Sequence, residues 1–478
     1  MFFAPHSLHW RTGSGVLAVL WTLHAGCSQE PSSDSTKYRP APGASSRTPA
    51  PGSRPRPSSQ ARARPLVRPR PRPHPACRFL TATSEDRTPD EKIVDATGNL
   101  DAFFEALLAL LTHQSNRRKV RVAFYGDSNA TRDWAAGHLR RFLGKRFGHG
   151  GHGFITAGKS VPWYQHREIR TWSSRGWKAY CVTHPRFPKQ PYYGHAGHIS
   201  YGRRMDAFAQ FNSAQSGSPA DESFSTVEVH YLCWPLGGRF EVHVDKKVVR
   251  DVQTRCPKRT AKTVTVRVQP GRHEVRLKVK KTVVGVFGAA FENEKQGVVV
   301  DGLGVGALNV KTLQEIKSKL FIAGLAARRD DLVILHTGTN MWGPGFHPGW
   351  AREVIHRIRS ALGPRASILV LSPPVFGKWK RGSIAGHPRM EACAREKRDI
   401  AAANKVAFWD YFRSMGGRES IVKWRHSGHI YGDLVHFKPP FHRIMMRRLG
   451  RALMTQFRVY LRRKGIGCPR QPPRSKGP

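Results

Sequence analysis

Acidic side chains are scarce in this chain. Asp and Glu number 33 against 80 Lys and Arg, a formal net charge of +47 over 478 residues. A field of that sign favours anionic partners: nucleic acid, acidic lipid or an acidic cell-envelope polymer. The basic residues are spread along the whole chain, so free use of arginine with solvated charges accounts for the excess equally well. Signatures of RNA- or DNA-binding modules are missing, and no specific nucleic-acid partner is expected. The seven cysteines lack C-x-x-C spacing, which argues against a zinc ribbon or a thioredoxin-like site.

The N-terminal apolar run, Gly15 to Leu23, is too short to cross a bilayer as a mature helix. With Arg11 before it, the run reads as an export signal over residues 1–27. His24-Ala25-Gly26-Cys27 resembles a bacterial lipoprotein cleavage box, although His24 replaces the expected aliphatic residue. Lipidation of Cys27 and cleavage without it both stay open, and the expected location is periplasmic or membrane-anchored. In an oxidising envelope the other six cysteines permit disulfides, and Cys233 with Cys256 is the expected pair because both lie in one strand-rich segment.

Residues 28–80 are dominated by Pro, Ser, Ala and Arg and have little apolar surface to bury, which predicts a disordered linker. Electrostatic adhesion to an anionic polymer or membrane surface is a compatible role for it. Residues 463–478 form a basic tail. Between these segments, apolar runs alternate with helical patterns. Strands are predicted at Val120–Tyr125, Gly297–Leu303, Asp331–His336, Ala366–Leu371 and Val406–Trp409. Helices are predicted at Leu100–Leu111, Lys311–Arg328, Trp350–Ala361, Met390–Asn404 and Pro440–Arg462, with another following Gly126-Asp127-Ser128. This is the pattern of an α/β, doubly wound parallel sheet, with sites at the carboxyl ends of its strands. Residues 161–296 change to short alternating runs punctuated by turns, predicting an inserted antiparallel β-sandwich.

Gly148-His149-Gly150-Gly151-His152-Gly153 reads as a flexible surface loop, and without a third ligand it is not expected to hold a metal. Gly302-Leu303-Gly304-Val305-Gly306-Ala307 fits a dinucleotide-binding glycine pattern. The second strand ending in an acidic residue is missing, so no nicotinamide cofactor, and no other, is expected.

Two motifs carry chemistry. Ser128 follows a buried strand at a sharp turn before a helix, the setting that exposes a nucleophile. Asp433-Leu434-Val435-His436 near the C-terminus offers a general base, His436, and a carboxylate to orient it, Asp433. A serine hydroxyl needs a base to take its proton, and an imidazole needs a partner to fix its tautomer.

Gly126-Asp127-Ser128, the glycine turn Gly304-Val305-Gly306, Gly338-Thr339-Asn340 and Asp433–His436 occur in the order of the SGNH (GDSL-type) hydrolase family, which the chain resembles over residues 95–160 and 297–462. The resemblance implies a flavodoxin-like sheet and catalysis by Ser128, His436 and Asp433. It also implies an oxyanion hole of the Ser128 N–H, a glycine-turn N–H (Gly304, Gly306 or Ala307, with Gly306 preferred) and the Asn340 side chain. An insert after the first block is similar to the carbohydrate-binding-like insert of periplasmic peptidoglycan O-acetylesterases. The implied activity is hydrolysis of carboxylic, mainly acetyl, esters on a cell-envelope polysaccharide such as O-acetylated peptidoglycan. The alternatives are a polysaccharide O-acetyltransferase and a non-catalytic glycan-binding protein. Tyr164 and His166 are candidate substrate contacts. Trp163, Trp172 and Trp177 are candidate sugar-stacking residues, while Trp234 is expected in the core.

Overall fold

The computed structural model describes residues 74–80, 90–113, 116, 118–183, 192–213, 223–340, 348–466 and 468. The expected signal and most of the expected linker therefore lie outside the described residues.

A six-stranded sheet forms the frame. Its strands are β1 (Ile93–Val94), β2 (Lys119–Gly126), β3 (Gly297–Gly304), β4 (Leu332–His336), β5 (Ser367–Leu371) and β6 (Ala407–Trp409), in the spatial order β1-β6-β5-β4-β2-β3. All neighbours are parallel except the short edge strand β1. The strands are apolar on both faces because both faces are covered. In β2, Val120, Val122 and Phe124 enter one core with helices α2 (Asp101–Thr112), α3 (Trp134–Phe147) and α10 (Pro439–Arg463). Ala123 and Tyr125 enter the other, with α4 (Val310–Glu315), α5 (Ser318–Arg328) and α6 (Pro348–Leu362). Helix α6 shows why such segments dock: Ala351, Val354, Ile355 and Ile358 recur at helical spacing and are all buried. The set is completed by α1 (Cys77–Leu80), α7 (Arg389–Ala403), α8 (Tyr411–Met415) and α9 (Ser420–His426).

Between α3 and β3 the chain builds two antiparallel sheets. One runs in the order 247–253, 239–244, 274–281, 208–213, 169–173. The other runs 260–271, 224–233, 284–292, 198–202, 177–181, and strand Gly151–Ile155 also pairs with Val284–Glu292. Their facing sides share an apolar core that includes Phe211, Val229, Phe240, Leu277 and Phe291. Cys233 is bonded to Cys256 within this unit.

Four expectations are corrected. The glycine-rich segment at 148–153 is no flexible loop: Gly151–Ile155 is a buried strand and His152 is fully buried. The antiparallel part therefore starts before residue 161. The single helix expected over 311–328 is two helices, since Ile316 is extended and Arg357 of α6 donates to the freed carbonyls of Gln314 and Ile316, at 2.8 Å each. Finally, the chain is ordered before residue 80: Cys77–Leu80 is helical, Phe79 stacks on Phe147 at 4.9 Å, and Cys77 is bonded to Cys468.

Candidate active site

The carboxyl ends of β2, β3 and β4 meet where the strand order reverses, the usual position of a site in an open α/β sheet. Ser128 leaves β2 in a tight turn made possible by close packing. A β-carbon at Gly126 would lie 2.4 Å from that of Ala130, and one at Gly304 would lie 2.4 Å from the backbone of Ala130. Beneath it, Asp127 is buried, and its Oδ1 accepts the Asn129 N–H at 3.0 Å. Burial pushes the Asp127 carboxyl above its ordinary range, against hydrogen bonds from Thr339 and Asn129.

The loop before α10 brings up the other two groups. Asp433 Oδ1 accepts the backbone N–H groups of Val435 (2.9 Å) and His436 (3.0 Å), while Leu434 takes a left-handed conformation with φ 59°. This turn leaves Asp433 Oδ2 facing His436 Nδ1 at 2.7 Å. His436 Nε2 then lies 2.9 Å from Ser128 Oγ. With Nδ1–H donating to the carboxylate, Nε2 is free to accept the serine proton. Burial acts to raise the Asp433 carboxyl, but the His436 and Val435 hydrogen bonds outweigh it and hold the group below its ordinary value.

Ser128 and His436 line a cavity of 540 Å³ with Arg132, Trp134, Trp163 and Tyr431. The N–H groups of Ser128 and Gly306 donate to no acceptor among the described residues. A β-carbon at Gly306 would touch only the Trp163 ring, at 3.7 Å, so this turn faces the cavity. Asn340 lies on the same sheet edge, in the exposed turn after β4, and makes no hydrogen bond among the described residues.

Tyr164 and His166, the candidate substrate contacts, are largely buried, line a cavity beside the one at Ser128 and are bonded within the protein. Tyr164 Oη accepts the Thr156 N–H at 3.1 Å. His166 Nδ1 accepts from Glu168 N and Ile169 N at 3.2 and 3.1 Å. Trp177 is also core, donating to the Ala157 carbonyl at 2.7 Å, and Trp234 is buried, whereas Trp163 and Trp172 are 44% and 46% exposed.

Sequence reasoning missed Asn129. Its Oδ1 accepts the Phe437 N–H at 3.1 Å and its Nδ2 donates to the Val435 carbonyl at 3.3 Å, so it grips the chain on both sides of His436. Its position beside Ser128 was the only available signal.

No family model and no curated protein matches the chain. Among solved structures, a peptidoglycan O-acetylesterase aligns over 77% of this chain and 99% of its own, at 19% identity with a TM-score of 0.64. A family two carbohydrate esterase from Clostridium thermocellum in complex with cellohexaose aligns over 58% of this chain and 99% of its own (12% identity, TM-score 0.26). A salicylyl-acyltransferase from a tetracycline biosynthetic pathway covers 63% and 97% (12% identity, TM-score 0.27). The first of these carries the comparison: the chain is similar in fold to that peptidoglycan O-acetylesterase over most of both chains.

Proposed function

We propose that this protein is a serine esterase that removes acyl groups, chiefly acetyl, from a cell-envelope polysaccharide, with O-acetylated peptidoglycan as the leading substrate. The observation that carries this reading is the relay Ser128 Oγ–His436 Nε2–Asp433 at 2.9 and 2.7 Å, opening on a cavity.

In the proposed mechanism Ser128 attacks the ester carbonyl while His436 Nε2 takes its proton, and Asp433 stabilises the resulting imidazolium. The Ser128 and Gly306 N–H groups, with the Asn340 amide, receive the developing oxyanion; losing one such donor typically costs on the order of 10²–10³ in turnover. His436 returns the proton to the departing sugar hydroxyl, and water then cleaves the acyl-serine by the reverse relay. The His436 and Asp433 side chains are 44% and 49% exposed, so water reaches the acyl-enzyme readily, which favours hydrolysis over transfer to a second alcohol. The sheet is read as flavodoxin-like, and the N-terminal segment as a signal for export to the periplasm, with Cys27 as a lipid anchor.

Ser128→Ala is expected to abolish hydrolysis of p-nitrophenyl acetate, and acetate release from O-acetylated peptidoglycan, with an unchanged circular-dichroism spectrum. Retained hydrolysis in a folded Ser128→Ala protein would sink the mechanism.

A further inference from the structure

A second cavity, of 510 Å³, adjoins the one at Ser128, and the two share Arg132 and Trp163 as lining residues. It runs along the edge strand Ile169–Ser173 of the insert. There the alternation of buried and exposed positions puts Arg170 and Trp172 together on the outer face while Ile169 and Thr171 point inward. Trp172 is braced edge-on by Phe208, with ring centroids 4.9 Å apart. Two exposed indoles therefore line one open groove, and neither fills the core.

The charge of the groove is one-sided. Arg132, Lys159 and Arg170 line it, and no Asp or Glu does. Among the described residues none of the three makes an ion pair; Arg132 instead lies over the Trp134 ring at 5.3 Å. Glu274, on the same sheet face, is taken up by Gln210 (2.8 Å) and Arg276 (2.9 Å). A flat aromatic surface offers apolar area to the C–H face of a sugar ring, and unpaired guanidinium groups suit carboxylates. A neutral glycan would leave the cations unused, and a simple carboxylate would leave the indoles unused.

We propose that this groove is a second subsite, which binds a carboxylate-bearing unit of the same glycan chain whose ester is presented to Ser128. Trp163 stands at the junction, over the Gly306 turn, and the sugar chain runs from it toward Trp172. The inference rests on the esterase reading for its orientation and deepens it by naming an anionic glycan as the substrate class.

The test uses the full chain. Arg170→Gln/Trp172→Ala alters only the second cavity. Arg250→Gln/Val248→Ala removes one exposed charge and one exposed apolar group at the opposite edge of the same sheet, which controls for diffuse attraction by a protein of net charge +47. Acetate release is measured on O-acetylated peptidoglycan with free carboxylates and with the carboxylates amidated, alongside p-nitrophenyl acetate. The groove variant is expected to lower the ratio of kcat/KM on the free-carboxylate glycan to that on the small ester about tenfold, the scale of one lost charge-assisted hydrogen bond. Amidation of the glycan should lower the wild-type ratio similarly, and the control variant should match wild type. Equal losses in the groove and control variants, or no loss in the groove variant, would overturn the subsite. If the wild type releases no acetate from this glycan, the peptidoglycan reading fails. The subsite is then judged by binding of Ser128→Ala protein to de-acetylated sacculi: weakening by the groove substitutions alone supports it, and unchanged binding overturns it.

Discussion

Asn129→Ala should uncouple the nucleophile from its base without touching either. Asn129 is 8% exposed and Phe437 is 2% exposed, so the substitution strands a buried Phe437 N–H and removes a second bond to the Val435 carbonyl. An unsatisfied buried donor costs about 1–3 kcal/mol and a lost hydrogen bond about 1 kcal/mol, giving an expected destabilisation of about 2–4 kcal/mol. The kinetic effect is separate. His436 lies between the two anchored residues, and misplacement of a reacting group by about 1 Å costs on the order of 100-fold. We expect kcat on p-nitrophenyl acetate to fall about 10- to 100-fold with a much smaller change in KM. Asn129→Asp keeps an acceptor for Phe437 and should recover part of the stability. Urea unfolding and steady-state kinetics on the three proteins decide the matter. A destabilised Asn129→Ala protein with wild-type kcat would show that the Asp433 turn positions His436 unaided, refuting the coupling.

Burial depresses His166, His198 and His442 to about 4 from an ordinary 6.5. The unfolded chain thus binds more protons below pH 6.5, and stability should be full above that value and fall toward pH 4. The slope is up to about 1.4 kcal/mol per pH unit for each histidine; equal urea midpoints at pH 7.5 and 5 would contradict it. Gly304→Ala should both destabilise the fold and lower kcat, because the new methyl meets the Ala130 backbone in the turn that presents Ser128; a folded variant with wild-type kcat would show that the turn adjusts freely. Arg140→Met should cost about 3–5 kcal/mol in chemical denaturation by leaving Asp133 and Glu168 buried without their cation, and a loss under about 1 kcal/mol would refute Arg140 as the group that sustains them.

The parallel strands were legible because strands covered on both faces are apolar through their middle, and Leu332–Leu335 and Ile368–Leu371 are apolar and buried. Ser128, Asp433 and His436 were legible as motifs, and the structure brings their side chains together. Features that depend on what lies across the fold were not. The glycines at 151 and 153 resemble loop residues, yet they are required by crowding: a β-carbon at Gly151 would lie 2.5 Å from Glu292 Cα, and one at Gly153 would lie 2.6 Å from the Val300 carbonyl. Local pattern carries no trace of that contact. The break between α4 and α5 depends on Arg357, some 40 residues away, and the Cys77–Cys468 bond joins positions separated by 391 residues. Asn129 is visible beside Ser128, but its partners 306 and 308 residues away are not.

The buried charges explain how a groove on the insert can serve a serine on the sheet. Arg140, fully buried on α3, binds Asp133 at 3.0 Å, Glu168 at 3.4 Å and the Val300 carbonyl of β3 at 2.8 Å. Burial raises the Glu168 carboxyl, but Arg140 and His152 outweigh it and hold the group well below its usual range. On the other face, Arg328 binds Asp301 of β3 at 2.8 Å, and Glu292 and Glu228 of the insert at 3.1 and 3.5 Å. Apolar contact alone would allow two packed units to slide, whereas a guanidinium fork meets its carboxylates in few geometries. Asp133 directly precedes α3, just after the Ser128 turn, and Glu168 directly precedes the strand bearing Arg170 and Trp172. A single buried cation thus links the nucleophile's turn to the wall of the neighbouring groove. Substrate held along that wall would meet Ser128 at a fixed offset, so the position of the ester along the glycan, as well as its chemistry, would decide what is cleaved.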